Sequence, residues 1–280
     1  MIPIVVDASW LSEHPEAVIA DVRWYMDGSD THAAYRAGHL PGAVYVNLDR
    51  YLAATPSPAV GRHPLPDPAV FAEGMKAAGI GDGTIVVAYD DTGGTTAGRL
   101  VWLLRSIGED AALLDGGLNA WQGPVDTDEV VPTPAATFTP RPWPASGIAT
   151  IDEAACGDYI VLDARAPERY RGEIEPIDAR PGHIPGALNA WFGANQNDDQ
   201  TYRTPEELRA HYATLGVTDA AGVIVYCGSG VTGCHDVIAL EYAGLGQPRI
   251  YSGSWSQYAA TDRPAATGPE PGERPRAGVR

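Results

Sequence analysis

The 280-residue chain is poor in cysteine, short of cations and without a long apolar run. Its three cysteines, Cys156, Cys227 and Cys234, are too few for a disulfide framework and cannot all pair, so at least one is expected as a free thiol. Nineteen Lys and Arg stand against 36 Asp and Glu, a formal net charge of -17. That balance excludes a broad basic face for the nucleic-acid backbone, yet leaves room for a cleft in which a few arginines meet a small anion. No stretch reaches the roughly 18 apolar residues of a membrane helix, and the N-terminal MIPIVVDASWLSEHPEAV has no basic region ahead of an apolar core. The expected compartment is the cytoplasm. A nucleotide P-loop is excluded by the missing Gly-Lys-Ser/Thr ending. Zinc is disfavoured because Cys227 and Cys234 are seven positions apart, with His235 an unsupported third ligand.

What is present is a repeat. VVAYDDTGGTTAGRLVWLLRSIG (86–108) and VIVYCGSGVTGCHDVIALEYAGL (223–245) each read as a β-branched strand, a Gly/Thr loop and a helix, and each precedes a Gly turn and an aromatic segment, LDGGLNAWQ and YSGSWSQYA. Tyr89 and Tyr226 are 137 positions apart, as are Trp121 and Tyr258; upstream, Gly38-His39 answers Gly182-His183. Short apolar strands alternating with helices predict an α/β fold of two copies, each a mainly parallel sheet flanked by helices. The expected divisions are a first domain over 1–123, a Pro-rich extended connector over 124–147, a second domain over 148–263, and a tail over 264–280 whose composition buries little. The seven tryptophans, Trp10, Trp102 and Trp121 among them, read mostly as core.

The copies diverge at the loop, where Asp90 aligns with Cys227, so only the second half carries a nucleophile. A strand running into CGSGVTG and a helix puts Cys227 at the carboxyl edge of the sheet, where open α/β sheets bind ligands. Gly228 and Gly230 are expected to adopt dihedrals closed to other residues, curling backbone N–H groups around the sulfur. Such a setting lowers a thiol pKa from ~8.5 toward roughly 3.5–7.5. The bland alternative is a buried Cys acting as a small hydrophobe. A tyrosine-phosphatase loop needs Arg after five residues, and Gly233 stands there. Tyr226 reads as a strand-end aromatic, Thr232 as the cap of the following helix, and Cys234, about two turns into that helix, as packing. His39 and His183, present in both copies, read as structural.

The motifs GHLPGA and GHIPGA, DGGLNAW and SGSWSQY, together with CGSGVT, resemble the two-domain rhodanese family, and the Cys loop resembles that of its 3-mercaptopyruvate sulfurtransferases. The resemblance spans Asp21 to about Tyr258. It implies tandem rhodanese-like domains that move a sulfane sulfur through a Cys227 persulfide, without metal or organic cofactor. The loop residues Gly228, Ser229, Gly230, Val231 and Thr232 would meet the donor. Members preferring thiosulfate resemble Cys-Arg-Lys-Gly-Val-Thr, with two cations that Gly228 and Ser229 do not supply here, so 3-mercaptopyruvate is the expected donor and thiosulfate the alternative. The acceptor would be cyanide, a small thiol or a thioredoxin-like protein. The family pattern puts a substrate arginine at Arg169; a second falls on Asp178, with Arg180 the closest substitute, while Arg165 and Arg171 could be structural or solvated. It also implies a relay of Ser229, His63 and Asp49, the last two from the first domain. A module that only carries persulfide is the alternative of another class.

Overall fold

The computed structural model describes residues 1–135, 137–156 and 158–274. It contains two compact units: one takes Met1–Ala54, Leu65–Trp143 and Gln196–Tyr202, the other Thr55–Pro64, Pro144–Asn195 and Arg203–Arg280. Each therefore takes a segment from the other half of the sequence. Residues 55–64 belong with the second unit through backbone groups: Arg62 N–H donates to Ser256 Oγ at 3.1 Å and Gln257 Nε2 to the Ala59 carbonyl at 2.6 Å.

The first unit holds five strands, β1 (Val5–Val6), β2 (Val18–Asp21), β3 (Val44–Tyr45), β4 (Val86–Tyr89) and β5 (Ala111–Leu114), in the order β1-β5-β4-β2-β3. The second holds β6 (Ile160–Asp163), β7 (Leu188–Asn189), β8 (Val223–Tyr226) and β9 (Arg249–Ile250), in the order β7-β6-β8-β9. All pairings between these strands are parallel. The central β4 (VVAY) and β8 (VIVY) are buried along their whole length, the near-continuous apolar pattern of strands covered on both faces. Each feeds a loop and then a helix, Ala97–Ser106 or Gly233–Tyr242.

The repeated motifs are one buried hydrogen-bond network built twice. β2 pairs with β4 so that Asp21 faces Tyr89, and β6 with β8 so that Asp163 faces Tyr226. Asp21 takes a bidentate contact from Arg23, and Asp163 from Arg165; the same guanidinium groups donate to the Gly38 and Gly182 carbonyls at 2.8 and 2.7 Å. Backbone N–H groups of Leu40 and Ile184 donate to the hydroxyls of Tyr89 and Tyr226. His39 and His183 bond through Nδ1 to the Tyr35 and Tyr170 carbonyls and stack on those rings at 3.9 and 3.8 Å. The two Gly-His motifs are thus the seats of a strand-end ion pair. Burial, reinforced by Asp163, pushes the Tyr226 hydroxyl far above its usual range.

Several segments differ from expectation. The connector lies along the first unit: Asp126 bridges His39, and Arg141 pairs with Asp82 and Glu109. The C-terminal segment is used as far as it is described, since Ala266 bridges His183 and Arg274 donates to the Tyr159 carbonyl; residues 275–280 lie outside the described residues. Only Trp102 and Trp255 of the tryptophans are buried, because Trp10 and Trp121 pack at a core's edge and Trp191 faces solvent.

Replacing Asp21 by Ala strands the buried Arg23 guanidinium, and losing one partner of a buried pair typically costs about 3–5 kcal/mol. Urea unfolding of Asp21→Ala should show a loss of that order. A loss below about 1 kcal/mol would place the strand-end pair among dispensable contacts.

Candidate active site

Cys227 follows β8 directly and is only 2% exposed. Its Sγ accepts the Gly230 N–H at 3.1 Å, and its own N–H donates to Ser254 Oγ at 3.1 Å. The Cys227 and Gly228 carbonyls accept from the Trp255 and Ser256 amides at 3.0 and 2.9 Å, so the short helix Ser254–Tyr258 pins the loop. Gly230 has φ +82° and a Cβ there would collide with the Ser252 carbonyl. Ser254 itself has φ +52°, a left-handed conformation rare outside glycine, at the position matching Gly117 (φ +54°) in the other half. The serine tolerates that strain while its hydroxyl takes the Cys227 amide.

Gly228 behaves otherwise than expected. Its φ lies outside the left-handed region; what the missing side chain permits is the approach of two arginines, since a Cβ would lie 3.0 Å from Arg62 Nη2 and 3.4 Å from Arg169 Nη1. Arg62 is the residue that sequence reading missed. Arg180 is turned to other work: its Nη2 donates to the Arg263 carbonyl at 2.6 Å and to that of Tyr258 at 3.3 Å.

Both loop arginines are held by acids. Arg169 Nη2 donates to Glu175 Oε1 at 2.7 Å and Asp178 Oδ2 at 3.2 Å, while Arg62 Nη1 donates to Asp178 Oδ1. Glu175 also pairs with Arg165, whereas Arg171 pairs with exposed Glu173. Burial pushes the Asp178 carboxyl above its usual range; Arg62 opposes this, Glu175 adds to it, and Arg169 and Arg165 oppose it. The sequence signal for these acids is the mixing of four Arg with four Asp or Glu in ARAPERYRGEIEPIDAR.

Ser229 and His63 meet, with Oγ and Nδ1 2.8 Å apart and both side chains buried. Asp49 lies in the first unit, exposed, where both carboxylate oxygens accept from Trp24 Nε1 at 3.0 Å. Val231 is buried, and its carbonyl accepts the Cys234 N–H. Thr232 stands at the N-cap position but in helical backbone, and its side chain makes no cap hydrogen bond; the helix begins at Gly233, so Cys234 sits in the first turn rather than two turns in. Among the described residues no group of three or more His, Cys, Asp or Glu could hold a metal ion.

In the matching loop of the first unit, Asp90 stands in the Cys227 position. It accepts the N–H groups of Thr92, Gly94, Thr96 and Ala97 at 2.7–2.9 Å. A loop of this shape gathers donors around one negative charge.

The rhodanese-like domain family matches residues 7–124 and 150–261. The chain belongs to the rhodanese-like family. A Pseudomonas aeruginosa protein named as a 3-mercaptopyruvate sulfurtransferase is 41% identical over 93% of this chain and 95% of its own. One from Mycobacterium tuberculosis, named as a thiosulfate sulfurtransferase, is 39% identical over 89% of this chain and 90% of its own. The structure of the Leishmania major 3-mercaptopyruvate sulfurtransferase is similar at TM-score 0.83, with 31% identity, covering 93% of this chain and 75% of that one. Homologues over nearly the full length are named as sulfurtransferases, and the rhodanese-like fold is consistent with persulfide chemistry at Cys227.

The two loop glycines should fail differently when replaced by alanine. Gly230→Ala meets backbone and a positive φ, and should lower the melting temperature and slow Cys227 alkylation more than tenfold. Gly228→Ala meets only arginine tips, so it should keep the wild-type melting temperature and raise KM with kcat little changed. Equal melting temperatures for the two variants would contradict this loop geometry.

Proposed function

We propose that the protein transfers the sulfur of 3-mercaptopyruvate through a Cys227 persulfide, releasing pyruvate, and passes it to cyanide, a small thiol or a thioredoxin-like protein. The observation that carries this reading is the Ser229–His63 pair two residues after the nucleophile, in a loop without a cation of its own. Cleaving the C–S bond of 3-mercaptopyruvate delivers an electron pair to C3, which becomes an enolate and must take a proton. Thiosulfate needs no such proton.

In this reading the Cys227 thiolate attacks the donor sulfur, and an S–S bond forms as the C–S bond breaks. The proton leaving the donor thiol passes by way of Ser229 and His63 to C3, leaving Cys227 persulfide and pyruvate, so that atoms and charge balance. Arg169 and Arg62 hold the donor carboxylate; Arg180, tied to carbonyls, has no part in this reading. The Gly230 amide, already on the sulfur, and its neighbours stabilise the persulfide anion, as the matching loop of the first unit holds Asp90. An acceptor nucleophile then takes the outer sulfur and returns the thiolate. A second reading, thiosulfate as donor, is favoured by one specific observation, the pair of guanidinium groups beside Gly228, and by the name of the Mycobacterium tuberculosis relative.

Pyruvate release from 3-mercaptopyruvate with a thiol acceptor should dominate over sulfite release from thiosulfate at matched concentration. Cys227→Ser should abolish both. Ser229→Ala should cut kcat with 3-mercaptopyruvate by roughly 10²-fold while changing thiosulfate turnover only a few-fold. Dominant sulfite release, or equal losses on both donors, would overturn the assignment. A persulfide formed once without turnover would make the protein a carrier.

A further inference from the structure

Arg62 and Arg169 share a carboxylate on the side away from the loop. Each turns one guanidinium nitrogen to Asp178, Nη1 of Arg62 and Nη2 of Arg169, and its other terminal nitrogen is the one nearer Gly228. The Asp178 side chain is 4% exposed, against 29% for Arg62 and 15% for Arg169, so the acid lies beneath and the cations face the loop mouth. Glu175, 2% exposed, takes a second contact from Arg169. The clamp thus presents two sets of N–H donors with little net charge.

We infer that Asp178 is a specificity-determining residue: sitting between Arg62 and Arg169, it keeps the guanidinium geometry that binds a carboxylate while cancelling the charge that would draw a dianion. This rests on the assignment of Cys227 as the sulfur-accepting nucleophile and deepens it, naming the feature that selects singly charged donors. Two bare guanidinium groups would favour a dianion about twice as strongly as a monoanion, because the Coulomb energy scales with the product of charges. A fixed carboxylate next to both removes most of that difference and leaves hydrogen-bond geometry to decide. The position where the family pattern has an arginine holds an acid here, and the second guanidinium arrives instead from residues 55–64 of the same unit.

The test uses two alkylating agents of similar size, anionic iodoacetate and neutral iodoacetamide, whose rate ratio at Cys227 reads the local potential independently of the thiolate fraction. Asp178→Asn should raise the ratio roughly three- to tenfold, and raise kcat/KM for thiosulfate relative to 3-mercaptopyruvate by a similar factor. Asp178→Glu should stay near wild type. An alkylation ratio within about twofold of wild type in folded Asp178→Asn overturns the proposal. If the alkylation ratio moves while neither donor is turned over, the donor assignment fails and the electrostatic role stands.

Should Asp178→Asn not fold, the wild-type protein supplies the same reading. Burial holds the Asp178 proton affinity above the ordinary carboxylate's, so the alkylation ratio should rise as the pH falls and the clamp gains positive charge. The groups facing Asp178 are Arg62, Arg165, Arg169 and Glu175, and His63 stands at Ser229 on the same loop. The rise should therefore persist in His63→Asn. A flat profile in that variant overturns the proposal.

Discussion

The buried pair of Asp163 and Arg165 at the end of β6 is the contact on which the site depends. From it runs an unbroken alternation of charge: Asp163, Arg165, Glu175, Arg169, Asp178, Arg62. Each member lies against the opposite sign, which is the condition for keeping charges in a medium that solvates them poorly. Since Asp163 is locked in register with Tyr226, the residue before Cys227, the series transmits the position of the sheet to the two guanidinium groups beside Gly228. Arg169 and Arg62 are the fourth and last members of a series that begins in a β-strand. In the first unit the same anchor, Asp21 with Arg23, ends at the Gly38 carbonyl.

Within the two matching loops, exchanges at single positions set the units apart. With Asp90, the first-unit loop closes on its own carboxylate, and four N–H groups are consumed by an anion built into the chain. With Cys227, the second-unit loop commits one N–H to the sulfur. The paired exchange of Gly117 for Ser254 follows the same logic. Both sit in the left-handed region, where glycine is free of strain and serine is not. The serine is found in the unit whose loop has a sulfur to aim, and its hydroxyl holds the amide of that cysteine.

What the sequence disclosed and what it concealed follow from the range of the interactions. The strands, the repeat, and Cys227 at the mouth of a glycine loop were legible because apolar runs and loop composition are local signals. Arg62 was not, being far from Cys227 along the chain in a proline-rich stretch without periodicity, and brought there by contacts that include the Arg62 amide on Ser256 Oγ, Gln257 Nε2 on the Ala59 carbonyl and His63 on Ser229. Arg180 attracted attention by proximity in sequence, yet its Nη2 donates to the Tyr258 and Arg263 carbonyls. Gly228 and Gly230 looked alike as letters. One is required by backbone geometry and the other by the room two side chains need.

The same economy of charge governs both units. A ring of N–H donors or a pair of guanidinium groups is unstable when buried without an anion, so each must be answered by substrate or by the protein. At Asp90 the protein answers from inside the ring, its carboxylate taking the N–H groups of Thr92, Gly94, Thr96 and Ala97. At Asp178 it answers from behind the arginines, and their remaining nitrogens face the loop that carries the sulfur. The position of the internal carboxylate, in front of the donors or behind them, is what separates a closed cradle from an open one in two copies of one fold.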